Sequence, residues 1–395
     1  MSQVRRKPHR RLPSLLLVAA LGASAGVAER APASQEFDAL PGAKALAVLP
    51  ARPDSVRGLV HSQPNALAAS VQARELCQQQ AGQDGACELI RLDDERITSG
   101  AEIRSQIPSA SHPLFLWRYQ RNGTVVYLAG SIHILKPSLY PLAPQLNAAF
   151  DQADYLVLEV DVASLDPQVI QQRTREYALL DDGETLTELL TPRTREKLTA
   201  HLADYGMTPA MLDRAKPALV MNQIVVSRLL TLGYLPDSGL ESYFLARRTR
   251  QRVLELESLD EQLALLFNQP MATQIELLDE TLEVTEQIEP MLAGMLVAWL
   301  SGDDARFMEL FKAQTGDSEL SQAFSRALLQ ERNHTMAAGI RRFLEDARPE
   351  QPRTYFVLVG AAHLVGDEGI VPLLARQGIS GTRVRSGDRI AAPAR

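Results

Sequence analysis

From residue 113 onward the hydrophobic positions fall into regular patterns. Two apolar, β-rich runs, 114–119 and 124–128, flank Arg121-Asn122-Gly123. Asn-Gly between such runs predicts a tight hairpin. Apolar positions then recur at helical spacing over 143–153. Another apolar run, 155–160, reads as a buried strand and ends on Glu159 and Val160, followed by Asp161. Helical periodicity dominates 166–250, with helices expected at 192–205, 217–232 and 240–250 and a shorter turn at 185–190. A brief β-rich run at 252–256 leads into Glu257-Ser258 and a further helix. Residues 271–346 are again helical, broken near Ser301-Gly302-Asp303 and Thr315-Gly316-Asp317. The run 354–359 returns to strand. Helix 369–377 follows, with Pro372 in its first turn, and a last strand is expected at 383–384.

These elements predict an α/β fold. A mixed sheet is built from two units of strand, Gly-x-x-His, helix and strand, with a long helical insertion at 166–346. The domain spans 111–390. Residues 29–110 look different, with Pro32, Pro41, Pro50, Pro53, Pro64 and Pro108 among many Ala, Ser and Gln. They read as a linker with a small appended element, a helix at 65–80 and a short strand at 87–92, without a core of its own.

The N-terminus changes the picture of location. Arg5, Arg6, Lys7, Arg10 and Arg11 precede a short apolar stretch that closes on small residues through Ala28. This is the layout of a secretory signal peptide over residues 1–28. The expected protein is therefore exported, periplasmic or secreted, with no integral span after processing. Removing that segment takes away five positive charges and no acidic one, moving the net charge from −7 to −12. Nothing resembles a basic nucleic-acid footprint. In an oxidising compartment Cys77 and Cys87 would pair as a local disulfide.

The chemistry concentrates in a repeated phrase. Val125 to His133 and Tyr355 to His363 are both apolar runs ending in Gly-x-x-His, with Gly130 and Gly360 at the strand exits. Glycine there permits a tight turn or a close backbone approach. Residues just beyond the carboxyl ends of strands build sites in open α/β sheets. His133 and His363 thus become candidates for metal ligation or general-base work, against the plain alternative of two satisfied loop histidines. Glu159 ends the strand after His133, where a carboxylate is costly unless paired, ligating or at the rim. Two imidazoles and a carboxylate form a common hydrolytic metal set. Glu257 repeats the pattern, and alternation would put Glu255 and Glu257 on one face. Arg332-Asn333, inside a helix expected over 328–343, could orient a carboxylate or simply face solvent.

These residues match a family pattern. Gly130-Ser-Ile-His133, the strand ending in Glu159, Leu256-Glu257-Ser258 with Gln262, Glu331-Arg332-Asn333 and Gly360-Ala-Ala-His363 occur in order across about 114–385. The chain resembles the TraB/PrgY/GumN family, which includes the Tiki metalloproteases. The resemblance implies a fold akin to erythromycin-esterase and ChaN-like proteins. It also implies an active centre of His133, His363 and Glu159, with a divalent metal in the Tiki branch. Where many relatives carry Gly-x-Asp, this chain has Ser238-Gly239-Leu240-Glu241, with Asp237 just before the glycine, which leaves open which acid serves there.

The expectation is an exported metal-dependent hydrolase of the peptidase type, acting on a peptide or small-molecule substrate. His133, His363 and Glu159 would hold a divalent metal, supported by Glu257, Arg332 and Asn333. The alternatives are a non-enzymatic peptide- or glycan-binding protein using the same pocket, and a metal-free hydrolase with histidine as general base.

Overall fold

The computed structural model describes residues 37–390 except 315 and 317. The expected leader at 1–28 lies outside the described residues, as do two positions of the expected break at 315–317.

The central sheet has six strands: β5 (Pro113–Arg121), β6 (Thr124–Ser131), β7 (Tyr155–Leu158), β8 (Arg252–Glu255), β9 (Thr354–Gly360) and β10 (Thr382–Arg385). Their spatial order is β10-β5-β6-β9-β7-β8. Only β5 runs against the others. The β5–β6 hairpin closes through Asn122 and Gly123, both at positive φ (48° and 80°), which a two-residue turn between right-twisted strands requires. Every residue of β6 and β9 is buried. That is why these strands read as unbroken apolar runs rather than alternating ones.

The two Gly-x-x-His strands lie side by side and parallel, with Gly130 opposite Val359 and Ser131 opposite Gly360. Their outgoing connections diverge. β6 leads through helix Pro144–Gln152 to β7, on the far side of β9. β9 leads through helix Ile370–Arg376 to β10, at the opposite edge. A crevice opens where neighbouring strands send their crossovers in opposite directions. The expected equivalence of the two units holds for the strands but not for the segments that leave them. After Gly130 the chain stays extended and His133 falls in an open loop. After Gly360 it enters a helical turn, Ala361–Leu364, which carries His363 inward.

Residues 43–105 correct the linker reading. β1 (Ala43–Val48), β2 (Arg57–Gln63), β3 (Glu88–Leu92) and β4 (Glu95–Arg96) form a second sheet in the order β2-β1-β3-β4, covered by helix α1 (Ala66–Ala81). The sequence hid it because the helix face that covers it is made of small residues. Helix α1 buries Ala66, Ala69, Ser70, Ala73, Cys77 and Ala81, a face with little apolar contrast. A Cβ on Gly58 would stand 2.0 Å from the Ala73 carbonyl oxygen, so sheet and helix meet backbone to backbone. Its buried residues merge with those of the main sheet into one cluster. Cys77 and Cys87 are joined in a disulfide that ties α1 to the approach to β3.

The helical insertion has an apolar centre of its own around Leu186, Leu198, Leu202, Val220, Ile224 and Leu278. No helix among the described residues is long and apolar enough to cross a membrane.

Candidate functional site

The site lies at the carboxyl ends of β6, β9 and β7. Gly360 is its geometric centre. A Cβ built there would stand 3.3 Å from His363 Cδ2, 3.4 Å from Glu159 Oε1 and 3.6 Å from His133 Nε2. No two of these atoms are therefore more than about 7 Å apart. The glycine is needed for space: any side chain would intrude among the three groups.

Glu159 is held by the neighbouring strand and by an arginine. Its Oε1 accepts the Gly360 N–H at 2.7 Å, and its Oε2 accepts from Arg332 Nη2 at 2.7 Å and from Gln262 Nε2 at 3.3 Å. Arg332 grips a second carboxylate, donating from Nε and Nη2 to Glu257 at 2.6 to 3.1 Å. Nearly buried carboxylates so close together need that cation between them. Glu255, expected to share a face with Glu257, instead accepts the Asp161 N–H at 2.6 Å outside the site. The strand ends at Glu255, so the alternation of faces stops before reaching Glu257.

Arg332 and Asn333 are adjacent in sequence, and both reach the site. A π-helical turn, Ala327–Glu331, precedes helix Arg332–Glu345 and shifts its phase. Such turns recur at functional sites. Asn333 donates from Nδ2 to the Glu368 carbonyl at 2.7 Å, which turns its Oδ1 to His363 Nδ1, also at 2.7 Å. His363 therefore carries its proton on Nδ1 and presents Nε2 as acceptor, 3.2 Å from Arg332 Nη1 and 3.8 Å from Glu159 Oε1.

His133 is oriented in the same way, by a carboxylate instead of an amide. Its Nδ1 lies 2.9 Å from Glu241 Oε1, leaving Nε2 toward the centre. Asp237 stays in the neighbouring 3-10 turn Pro236–Ser238, so Glu241 is the acid that serves. The loop is fixed on two sides. Gly239 sits so close to the His133 carbonyl that a Cβ would fall 2.0 Å from its oxygen. Lys136 donates to the Thr98 carbonyl, just past β4 of the small sheet. Beneath, Trp299 Nε1 donates to the Gly130 carbonyl at 3.0 Å. Trp299 was not singled out from sequence, since it acts through a backbone carbonyl that no motif displays, and Gly239 entered only as the glycine of the segment that carries Glu241.

The two imidazoles titrate in opposite senses. The Glu241 carboxylate pushes His133 up to about 9, against desolvation. Its ring remains 63 % exposed, so solvent screens part of that attraction. Burial pushes His363 down to about 4, helped by the nearby Arg332 charge and opposed by Glu159. Burial opposes ionisation of Glu159, yet the imidazoles, Arg332 and the Gly360 N–H outweigh it and hold the carboxyl down at about 2. Because His363 is itself neutral above about 4, Arg332, His133 and the Gly360 N–H carry that balance at neutral pH.

The donor chemistry suits a divalent cation. Two imidazoles turn Nε2 inward while a side-chain oxygen holds each Nδ1, the outer-shell pattern of metal-ligating histidines. Among the described residues no three His, Cys, Asp or Glu side chains stand at ligand spacing. Arg332 Nη1 takes the lone pair of His363 that a metal would need, although its seat on Glu257 does not depend on that contact.

Comparison with known proteins gives a consistent assignment. The model of the TraB/PrgY/gumN family matches residues 115–383. The chain is 27 % identical over 252 residues to the uncharacterized protein YbaP of Escherichia coli strain K12, covering 63 % of this chain and 87 % of YbaP. It is 25 % identical over 340 residues to the metalloprotease TIKI1 of Danio rerio, covering 73 % of this chain and 67 % of TIKI1. No solved structure matches it significantly.

Proposed function

The chain belongs to the TraB/PrgY/gumN family, and from that premise we propose that it is a hydrolase of the peptidase type, exported, with its centre at His133, His363 and Glu159. The observation that carries the reading is the convergence of these three side chains on Gly360, each imidazole held through Nδ1 and facing inward through Nε2. The name of TIKI1 adds the peptidase class and a metal. The basic, apolar and small-residue order of residues 1–28 and the Cys77–Cys87 disulfide favour an oxidising destination. A likeness to erythromycin-esterase and ChaN-like folds belongs to the same proposal.

In this reading His133 Nε2, His363 Nε2 and Glu159 Oε1 would hold a divalent cation. Such a cation supplies Lewis acidity toward a scissile carbonyl and acidifies water. The chain's own groups do the rest. Asn333 and Glu241 fix which nitrogen of each ring faces the substrate. Arg332 bridges Glu159 and Glu257 in a confined space and helps keep Glu159 ionised. Trp299 and Gly239 fix the backbone on either side of His133. A metal-free variant of the chemistry is favoured by one contact, Arg332 Nη1 on His363 Nε2. There the protonated His133 would act as acid and the neutral His363 as base, two groups whose environments drive them apart.

The test is digestion of a peptide library by the purified protein, read by mass spectrometry, with added divalent metals or with chelator. The proposal expects cleavage that His133→Ala, His363→Ala and Glu159→Gln each abolish and that chelator removes. Cleavage that survives chelator but not the histidine substitutions selects the metal-free reading. Full activity in the His133→Ala/His363→Ala double variant would refute the site itself. Peptide binding without cleavage under every metal selects a binding protein.

A further inference from the structure

We propose that the opposite end of the sheet carries a binding groove for a phosphorylated small molecule. A polar groove of about 690 Å³ opens where β7, β8 and β9 begin, lined by Tyr155, Arg252, Phe343, Arg348, Arg353 and Tyr355. Strand register builds it. Tyr155 pairs with Arg252 on one side and with Tyr355 on the other, so the three side chains stand in one row on one face. Arg353 lies two residues before Tyr355 and reaches the same face. Phe343, from helix Arg332–Glu345, stacks on Tyr355 with ring centres 4.4 Å apart, and Tyr355 stacks on Tyr155 at 4.9 Å.

Two of the arginines, Arg252 and Arg353, lie over an aromatic ring rather than against an acid. The guanidinium carbons of Arg252 and Arg353 each lie 5.9 Å from the centre of the Tyr155 ring. Among the described residues none of the three arginines forms an ion pair, whereas Arg247, Arg341 and Arg383 do. The one carboxylate lining the groove is Asp346. Asp154 acts on Arg353 from farther off, and its Oδ2 is taken by the Thr354 N–H at 2.8 Å. The result is a positive concavity in a chain of net charge −7.

Arg353 also donates to the Tyr355 side chain; the remaining N–H groups of these forks are open to an oxyanion, and several forks together favour a multiply charged phosphate over a single carboxylate. The enclosed size fits a small molecule better than a polymer, which would need a long basic stripe. The groove is about 13 Å from Glu159 along β7, four residues at strand rise. A ligand there would not touch the candidate catalytic groups.

Calorimetric titration of the purified full chain, with chelator and at matched ionic strength, tests this. The probes are pyrophosphate, a nucleoside diphosphate and citrate. Saturable pyrophosphate binding is expected, weakened about tenfold or more by Arg252→Gln/Arg353→Gln, the cost of losing charged hydrogen bonds. Arg193→Gln, an exposed arginine elsewhere, should leave it unchanged. Tighter binding of the nucleoside diphosphate would place a ring among the aromatics. Equal affinity would mean that the groove reads the phosphates alone, and either result keeps the proposal. Citrate binding as tight as pyrophosphate, no saturable heat, or no loss in the double variant would overturn it. The arginines are exposed, so the variants should fold, and Arg348→Gln provides a milder second test. The His363→Ala variant should bind pyrophosphate like the parent, which keeps this result separate from the fate of the hydrolase reading.

Discussion

Replacing Arg332 by methionine removes the cation that bridges Glu159 and Glu257. The side chains of these carboxylates are 11 % and 6 % exposed, and one nitrogen, Nη2, reaches both at 2.7 and 2.6 Å. Their facing oxygens are thus at most about 5 Å apart. At that distance, with an effective dielectric near 20, two bare carboxylates repel by about 3 kcal/mol. Loss of one member of a buried ion pair costs about 3–5 kcal/mol by comparison with other proteins. We therefore expect Arg332→Met to lower unfolding free energy by about 3–5 kcal/mol at pH 7.5. The sign of the pH dependence comes from Glu159. Its folded carboxyl is depressed to about 2, so in the parent its contribution is complete above the ordinary value near 4.5 and is lost as pH falls toward 2. In the variant at least one carboxyl is raised instead, takes up a proton well above 4.5, and relieves the repulsion. The gap between parent and variant should narrow between pH 7.5 and pH 5. Urea titrations of chelator-treated protein, followed by near-ultraviolet circular dichroism, measure both quantities. A loss below about 1 kcal/mol, the size of an ordinary exposed pair, or a loss that is the same at both pH values, would refute the argument. Arg332→Lys should fall between the two, because lysine restores the charge but not the fork.

Other consequences are as direct. Glu241→Gln should return His133 from about 9 toward its ordinary 6.5, read by nitrogen-detected NMR of the imidazole; an unchanged value would show that Glu241 does not hold the ring. Gly360→Ala should cost little more than about 1 kcal/mol of stability, the low end for overpacking, but abolish peptide cleavage, since its Cβ would sit among all three central groups. His363, neutral in the folded chain down to about 4, binds a proton more readily when unfolded, so it should add acid sensitivity as pH falls from about 6.5 toward 4. The His363→Gln variant should show a shallower fall over that range. Cys77→Ser/Cys87→Ser should lower stability by about 2–3 kcal/mol, as expected for a short closed loop, measured by urea unfolding; no change would mean that the small sheet holds itself together.

The parts of the fold that the sequence displayed are those where burial is two-sided or the turn chemistry is local. The Asn122-Gly123 hairpin, the apolar β6, β7 and β9 and the periodic insertion helices all belong to that group. The site was legible to the same degree, because Gly130, His133, Glu159, Gly360 and His363 mark strand ends. The hidden parts were hidden for physical reasons. The small sheet of residues 43–105 is covered by a helix face of Ala, Ser and Cys, which gives little hydrophobic contrast. The fate of His133 and His363 diverges because a strand exit does not announce whether loop or helix comes next. Glu255 and Glu257 part company because β8 ends between them. The π turn before Arg332 has no composition that reveals it, yet it governs how two consecutive side chains meet one site.

Strand β9 occupies the middle of the sheet but is made long after both of its neighbours. Val125 pairs with Thr354, so the chain must be synthesised past residue 354 before β6 and β7 have anything between them. Until then β6 and β7 are separated by an empty place in the sheet, and Glu159 lacks the Gly360 N–H that receives it. The nascent protein thus holds His133 and Glu241 but not His363. A clip in the segment just ahead of β9 would take His363 and the sheet's continuity together.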